Sequence, residues 1–214
     1  MKYIFSILLF TLLVSTSCND SGRTKVVIET DLGNMTFELY DSTPMHRDNF
    51  IKLAKEGFYD GLLFHRVINN FMVQGGDPNS RDATPEARLG SGGPGYTLDA
   101  EIGAPHFKGT MAAARTGGAS NPAKRSSGSQ FYIVQGKKQT EVDIRATETQ
   151  KGIKYTDAQK QKYMDIGGSI FLDMDYTVFG EIVDGMDVVD KLASVATQPG
   201  DRPVEDLVMK VYVK

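Results

Sequence analysis

Residues 64–77 read FHRVINNFMVQGGD and set a histidine, a cation, an amide and a carboxylate (His65, Arg66, Gln74 and Asp77) among large apolar side chains. Serine, threonine and cysteine are missing from the stretch, and Asp77 has no second carboxylate beside it. The usual covalent and paired-acid chemistries therefore have no obvious agents. Metal chemistry fares no better, because His46, His65 and His106 show no ligand spacing. Residues 90–95, GSGGPG, satisfy G-x-G-x-x-G literally. Pro94 lies inside that run and no strand–turn–helix unit surrounds it, so it reads as a loop and not as a dinucleotide site.

The elements that must position these residues are mostly strands. Met35, Phe37 and Leu39 alternate with polar neighbours, and Asp31-Leu32-Gly33-Asn34 supplies a turn before them, so residues 25–40 read as a hairpin. Leu207, Met209, Val211 and Val213 alternate in the same way, and apolar runs at 109–115, 129–135 and 176–183 add further strands. Helices are fewer. Ser42-Thr43-Pro44 offers an N-cap and a first-turn proline ahead of Phe50, Leu53 and Ala54. Residues 184–195 carry Met186, Val189 and Leu192 along one side, and residues 156–166 look helical up to Gly167-Gly168. Many strands, few helices and 22 glycines indicate a mainly β protein, either a closed barrel or a sandwich. A chain of 214 residues suits one well-filled domain.

The N-terminus has a different character. Residues 1–17, MKYIFSILLFTLLVSTS, hold one charge and an apolar run too short to cross a bilayer, which is the layout of a secretory signal. Cys18, the single cysteine, follows directly, resembling the lipidated cysteine of bacterial lipoproteins, although Ser15 stands where those signals usually carry leucine. Plain signal cleavage beside a stray thiol is the alternative. Residues 18–24 would be a lipidated tether, and the folded domain would span residues 25–214. One cysteine excludes a disulfide framework. With 24 basic and 27 acidic residues there is no basic stripe for nucleic acid, and membrane attachment would come from the lipid.

Five motifs together resemble the cyclophilin family of peptidyl-prolyl cis-trans isomerases: FHRV at 64–67, FMVQGGD at 71–77, GTMAAAR at 109–115, SGSQFYI at 127–133 and FLDMDYTVFGEIVDGMDVVD at 171–190. The resemblance implies a closed eight-stranded antiparallel β-barrel capped by two helices, with the site on its outer surface and no cofactor. It implies proline-containing peptides and folding proteins as partners of a monomer. Arg66 would be the catalytic cation, Gln74 would bind substrate backbone and orient Arg66, and Phe71, Met72, Tyr132 and Leu172 would line the proline pocket. Ala114 and Arg115 match the groove edge; Gln130, Phe171 and Tyr176 match further binding positions. His65 and Asp77 take no chemical step in this reading. They become a structural histidine and a turn. Strand alternation agrees, since Gln130 and Tyr132 share one face and Phe131 and Ile133 the other.

This reading resolves the missing nucleophile. Rotating an X-Pro bond breaks no covalent bond, and the barrier of roughly 18–20 kcal/mol is partial double-bond character. As the bond twists, the nitrogen lone pair leaves conjugation and can accept a hydrogen bond. A cation aimed there acts more strongly on the transition state than on the ground state.

Several positions depart from better-known eukaryotic members: Phe171 replaces a tryptophan, Tyr176 a histidine and Tyr132 a phenylalanine. Phe171 lacks the indole N–H, so weak cyclosporin binding with retained isomerase activity is expected. Tyr132 brings a hydroxyl that needs a partner if buried. Two insertions are also expected, at residues 116–126 and at about 135–170, the second with an extra helix. The resulting expectation is an isomerase anchored by lipid in a bacterial cell envelope, on the periplasmic side or in the outer membrane, serving exported proteins. A non-catalytic proline-peptide chaperone or adaptor is the runner-up. A ligand-carrying lipocalin-type barrel is the third reading, opposed by large inward residues such as Phe131, Phe37 and Met35.

Overall fold

The computed structural model describes residues 22–214; the expected signal segment, residues 1–17, and Cys18 lie outside the described residues. Ten strands and four helices follow one another. The strands are β1 (Lys25–Thr30), β2 (Gly33–Leu39), β3 (Leu62–Ile68), β4 (Met72–Gly75), β5 (Thr97–Leu98), β6 (Thr110–Ala113), β7 (Ser126–Ser127), β8 (Phe131–Val134), β9 (Val178–Asp184) and β10 (Val208–Val213). The helices are α1 (Pro44–Lys55), α2 (Glu141–Lys151), α3 (Asp157–Asp165) and α4 (Met186–Ala193). Eight strands close into an antiparallel barrel in the order β1-β10-β3-β4-β8-β6-β9-β2, and β5 pairs with β7 outside it. The choice between barrel and sandwich thus falls to the closed barrel.

Alternation builds two clusters from the same strands. On β8, Phe131 and Ile133 enter the barrel cluster with Phe37, Met35 and Met111, while Tyr132 and Val134 join a second cluster on the other face. Neighbouring strands obey the same rule: Val73 and Ala113 face inward, Met72 and Ala112 outward. Phe131 meets Phe50 and Tyr59 edge-on at centroid distances of 5.3 and 5.6 Å, so the barrel axis is filled with rings. A filled barrel has no room to carry a ligand, which removes the support for a lipocalin-type carrier.

Helices α1 and α4 cover this core. Helix α1 buries Phe50, Leu53 and Ala54 against it, and α4 buries Val188, Val189 and Leu192. The N-terminus of α1 differs from expectation. Thr43 occupies the N-cap position, but its buried hydroxyl lies 3.3 Å from the Tyr40 carbonyl and caps nothing. The carboxylate of Glu101 instead accepts from the N–H groups of Met45 and His46 at 3.1 and 3.0 Å. An anion from a distant loop thus satisfies the open donors and faces the positive end of the helix.

The second insertion holds two helices, not one. Both begin with capping boxes, Thr140 with Asp143 and Thr156 with Gln159, and α2 stops at left-handed Gly152. Ile144, Tyr155, Tyr163 and Ile170 form a small core of their own with Phe107. Gly168 stitches this unit to the barrel through bridges to Phe107 and Lys137. Its φ of +153° and the close approach of the His106 carbonyl leave no space for a side chain.

Candidate active site

The outward cluster floors a pocket of about 180 Å³. Met72 on β4, Tyr132 on β8 and Leu172 in the 3₁₀ turn Ile170–Leu172 are buried and apolar towards it, with Phe71 and Tyr176 packed at the side. Arg66, Gln74, Ala114 and Arg115 complete the lining. The pocket therefore gathers nine of the eleven positions singled out from the sequence. The tenth, Gln130, lines an adjoining groove of about 970 Å³ that shares Gln74, Ala114 and Arg115 with the pocket. The eleventh, Phe171, stands 57% exposed at the rim, its ring 5.3 Å from that of Phe71.

Strand register sets the polar side of the site. Arg66 on β3 and Gln74 on β4 are cross-strand partners, so both side chains leave the same face. Arg66 is half-exposed, and its Nε donates to Asp201 Oδ2 at 3.3 Å. Its two terminal nitrogens donate to no protein group among the described residues. Gln74 Nε2 donates to Gln130 Oε1 at 3.1 Å, and Gln130 Nε2 donates to the Gly92 carbonyl at 2.7 Å. Arg66 is thus steered by Asp201, while Gln74 and Gln130 form a separate chain along the groove.

The second arginine is spoken for. Arg115 Nε donates to the Asp175 carbonyl at 2.7 Å, and its guanidinium sits 4.5 Å from the Tyr176 ring centroid. Tyr176 in turn meets Tyr132 edge-on at 5.9 Å.

The Tyr132 hydroxyl does find a partner. It lies 3.0 Å from His106 Nε2, with the two rings stacked at 11°. Burial, reinforced by Tyr176 and Asp173, pushes the Tyr132 hydroxyl well above its usual range, so it stays protonated. His106 Nδ1 lies 2.8 Å from Asp173 Oδ1.

His65 and Asp77 lie beside the site without entering it. Asp77 is fully buried and accepts from the N–H groups of Asn79, Gly90 and Gly92, which shapes the glycine loop. His65 is buried with no hydrogen-bond partner for either ring nitrogen among the described residues, and burial lowers its pKa. Among the described residues no group of three His, Cys, Asp or Glu side chains could hold a metal ion, and no helix is long and apolar enough to cross a membrane.

Sequence reasoning missed Asp201, His106 and Asp173 as neighbours of the site. For His106 one signal existed: a tyrosine at a buried strand position demands a hydrogen-bond partner. Spacing could not say which residue supplies it.

The sequence matches the family described as Cyclophilin type peptidyl-prolyl cis-trans isomerase/CLD over residues 25–213. A Staphylococcus aureus protein named "Putative peptidyl-prolyl cis-trans isomerase" is 35% identical over 190 residues, covering 88% of this chain and 90% of that one. A Staphylococcus haemolyticus protein of the same name is 34% identical over 187 residues, 87% of this chain and 88% of its own length. Among solved structures, a Cryptosporidium parvum cyclophilin-type isomerase superposes with a TM-score of 0.63 at 23% identity, covering 90% of this chain and 98% of that one. The same parasite protein in the presence of the dipeptide Ala-Pro gives a TM-score of 0.62 at 22% identity, covering 89% and 98%. Those two likenesses concern the fold. Matched along nearly all of its barrel, the chain belongs to the cyclophilin-type peptidyl-prolyl cis-trans isomerases.

Proposed function

We propose that this isomerase turns X-Pro bonds in exported proteins while anchored to the cell envelope, and that Arg66 supplies the transition-state contact. One observation carries the second part: the terminal nitrogens of Arg66 have no partner among the described residues and stand at the edge of a pocket with an apolar floor. The proline ring would rest on Met72, Tyr132 and Leu172, with Phe71 at its side. Rotation about the imide bond then brings the freed lone pair towards the guanidinium, whose Nε stays tied to Asp201. No proton needs to move, which fits a site with neither nucleophile nor paired acids. Gln74 and Gln130, already aligned with each other, are placed to hold the substrate backbone along the groove.

That a related parasite structure was obtained in the presence of the dipeptide Ala-Pro supports a proline-containing ligand here. Export and anchoring rest on residues 1–18, with their signal-like run and following cysteine. The deciding experiment compares isomerisation of an Ala-Pro test peptide by the purified protein and by Arg66→Ala. Loss of about a hundredfold in kcat/KM in the variant, with circular dichroism unchanged, is expected for one preorganised donor worth about 3 kcal/mol. A folded wild type without turnover would favour the peptide-binding chaperone instead.

A further inference from the structure

The second insertion and the pocket floor share one buried polar chain. It begins at Tyr132, whose hydroxyl sits 3.0 Å from His106 Nε2. His106 is fully buried; its backbone N–H donates to Asp173 Oδ1 at 2.8 Å, and its Nδ1 lies 2.8 Å from the same oxygen. The other oxygen, Asp173 Oδ2, accepts from the hydroxyls of Tyr155 and Tyr163, each at 2.6 Å. Tyr155 lies between α2 and α3, and Tyr163 lies within α3. Four donors therefore converge on one carboxylate, which is itself 3% exposed.

Hydrogen-bond arithmetic constrains the proton positions around this carboxylate. An ionised carboxylate only accepts, so both tyrosines must donate and His106 must carry its proton on Nδ1. In the neutral imidazole Nε2 is then the acceptor, and the Tyr132 hydroxyl, kept protonated by burial, donates to it. Burial raises the Tyr155 and Tyr163 hydroxyls far above their usual range and so keeps them donors. The consequence reaches the pocket: with its hydroxyl drawn to His106, Tyr132 offers substrate a ring, as phenylalanine would.

We infer that Tyr155 and Tyr163, acting through Asp173 and His106, are positioning residues that hold the Tyr132 hydroxyl out of the proline pocket. The insertion is then part of the specificity machinery. Asp173 directly follows Leu172, a pocket wall residue, so the same clamp fixes wall and floor together. The inference rests on the isomerase reading for its meaning, since an apolar floor selects a proline ring.

The test removes the far end of the chain and reads the near end. Tyr155→Phe/Tyr163→Phe keeps both rings and deletes both donors. Expected is a five- to tenfold rise in KM for an Ala-Pro peptide, about what loss of one well-placed buried hydrogen bond would give, with kcat nearly unchanged. In a Tyr132→Phe background the same pair should leave KM unmoved, because no hydroxyl remains to steer. An equal rise in both backgrounds would mean a purely structural role and overturn the inference, as would no rise in either. The single variant Tyr163→Phe, with a smaller rise and the same dependence on Tyr132, serves if the pair fails to fold. Nitrogen-15 NMR of His106 gives a readout free of catalysis: a proton on Nδ1 is expected, and a proton on Nε2 would overturn the chain. Absence of turnover in the wild type would defeat the isomerase reading alone, since the peptide Kd by NMR titration still reports the floor in each variant.

Discussion

Asp201 holds Arg66 through Nε alone, and both side chains are nearly half exposed, at 44% and 42%. Such an exposed pair contributes at most about 1 kcal/mol to stability. Its value here is orientation. Asp201→Asn should leave the melting temperature essentially unchanged while kcat/KM falls about threefold, the scale of a modest loss of alignment; a kinetic assay beside a thermal melt checks both. Phe171 sits exposed at the pocket rim, where an indole would add a donor. Phe171→Trp should tighten cyclosporin binding relative to the parent, measured by calorimetry. His65 governs a different quantity. Burial lowers its folded pKa from about 6.5, so below that pH the unfolded chain takes up a proton that the native state resists. The unfolded state then binds more protons, and stability falls as pH drops through this window. Urea unfolding at pH 7.5 and 5.5 should show the lower midpoint at 5.5, and His65→Gln should shrink the difference.

At the scale of elements, the second insertion behaves as a small unit bolted on at several points. Lys151 of α2 and Lys124 of the first insertion both pair with Asp175, between the pocket residues Leu172 and Tyr176. Burial alone would raise the Asp175 carboxyl, but the two lysines outweigh it and hold the pKa low. Inside the unit, buried Glu148 accepts from the Tyr155 N–H at 3.0 Å and faces Lys154 and Lys160. The Tyr155 N–H is the chief reason its pKa lies below the ordinary 4.5. A depressed carboxylate stabilises above its unfolded pKa, and that support is lost as pH falls through the folded pKa. Hydrogen-exchange protection across residues 141–166, taken relative to the intrinsic rate at each pH, should therefore fall below about pH 4.5 before that of the barrel strands does. Glu148→Gln should show the lower protection already at neutral pH. Helix α3 was legible from Thr156 and the closing glycines. Helix α2 shows no apolar period, because EVDIRATETQK holds few apolar residues and buries only Ile144, Thr147 and Glu148. Its capping pair Thr140 and Asp143 was the signal present in the sequence.

For the whole molecule, one pleated wall serves two purposes. Its inner face fills the barrel and its outer face floors the pocket, so the site sits directly on the packed barrel wall. Phe131→Ala should cost about 3–5 kcal/mol by emptying the barrel core, read as a large drop in the urea midpoint. The proposed anchoring is a separate matter of the N-terminus. Cys18→Ala should move the protein from the membrane pellet to the soluble fraction, because a lipid chain and not surface charge would hold it there. If the variant stays in the pellet, cleavage and lipidation at Cys18 are not what retains the protein.

Residue order alone carries the alternation of β2, β8 and β10, the split of Gln130 and Tyr132 from Phe131 and Ile133, and the motifs that mark the family. These are local properties, carried by period and by residue type. It also marked nine of the side chains that meet at the pocket, because matched motifs carry their positions with them. Which partners hold those side chains emerges only when the chain has folded. Asp201 reaches Arg66 across 135 residues, and Asp173 reaches His106 across 67. Glu101, from a distant loop, caps α1 in place of Thr43. Ion pairs and hydrogen bonds between distant segments leave no periodic trace, since any donor and acceptor suffice wherever closing the barrel brings them within about 3 Å.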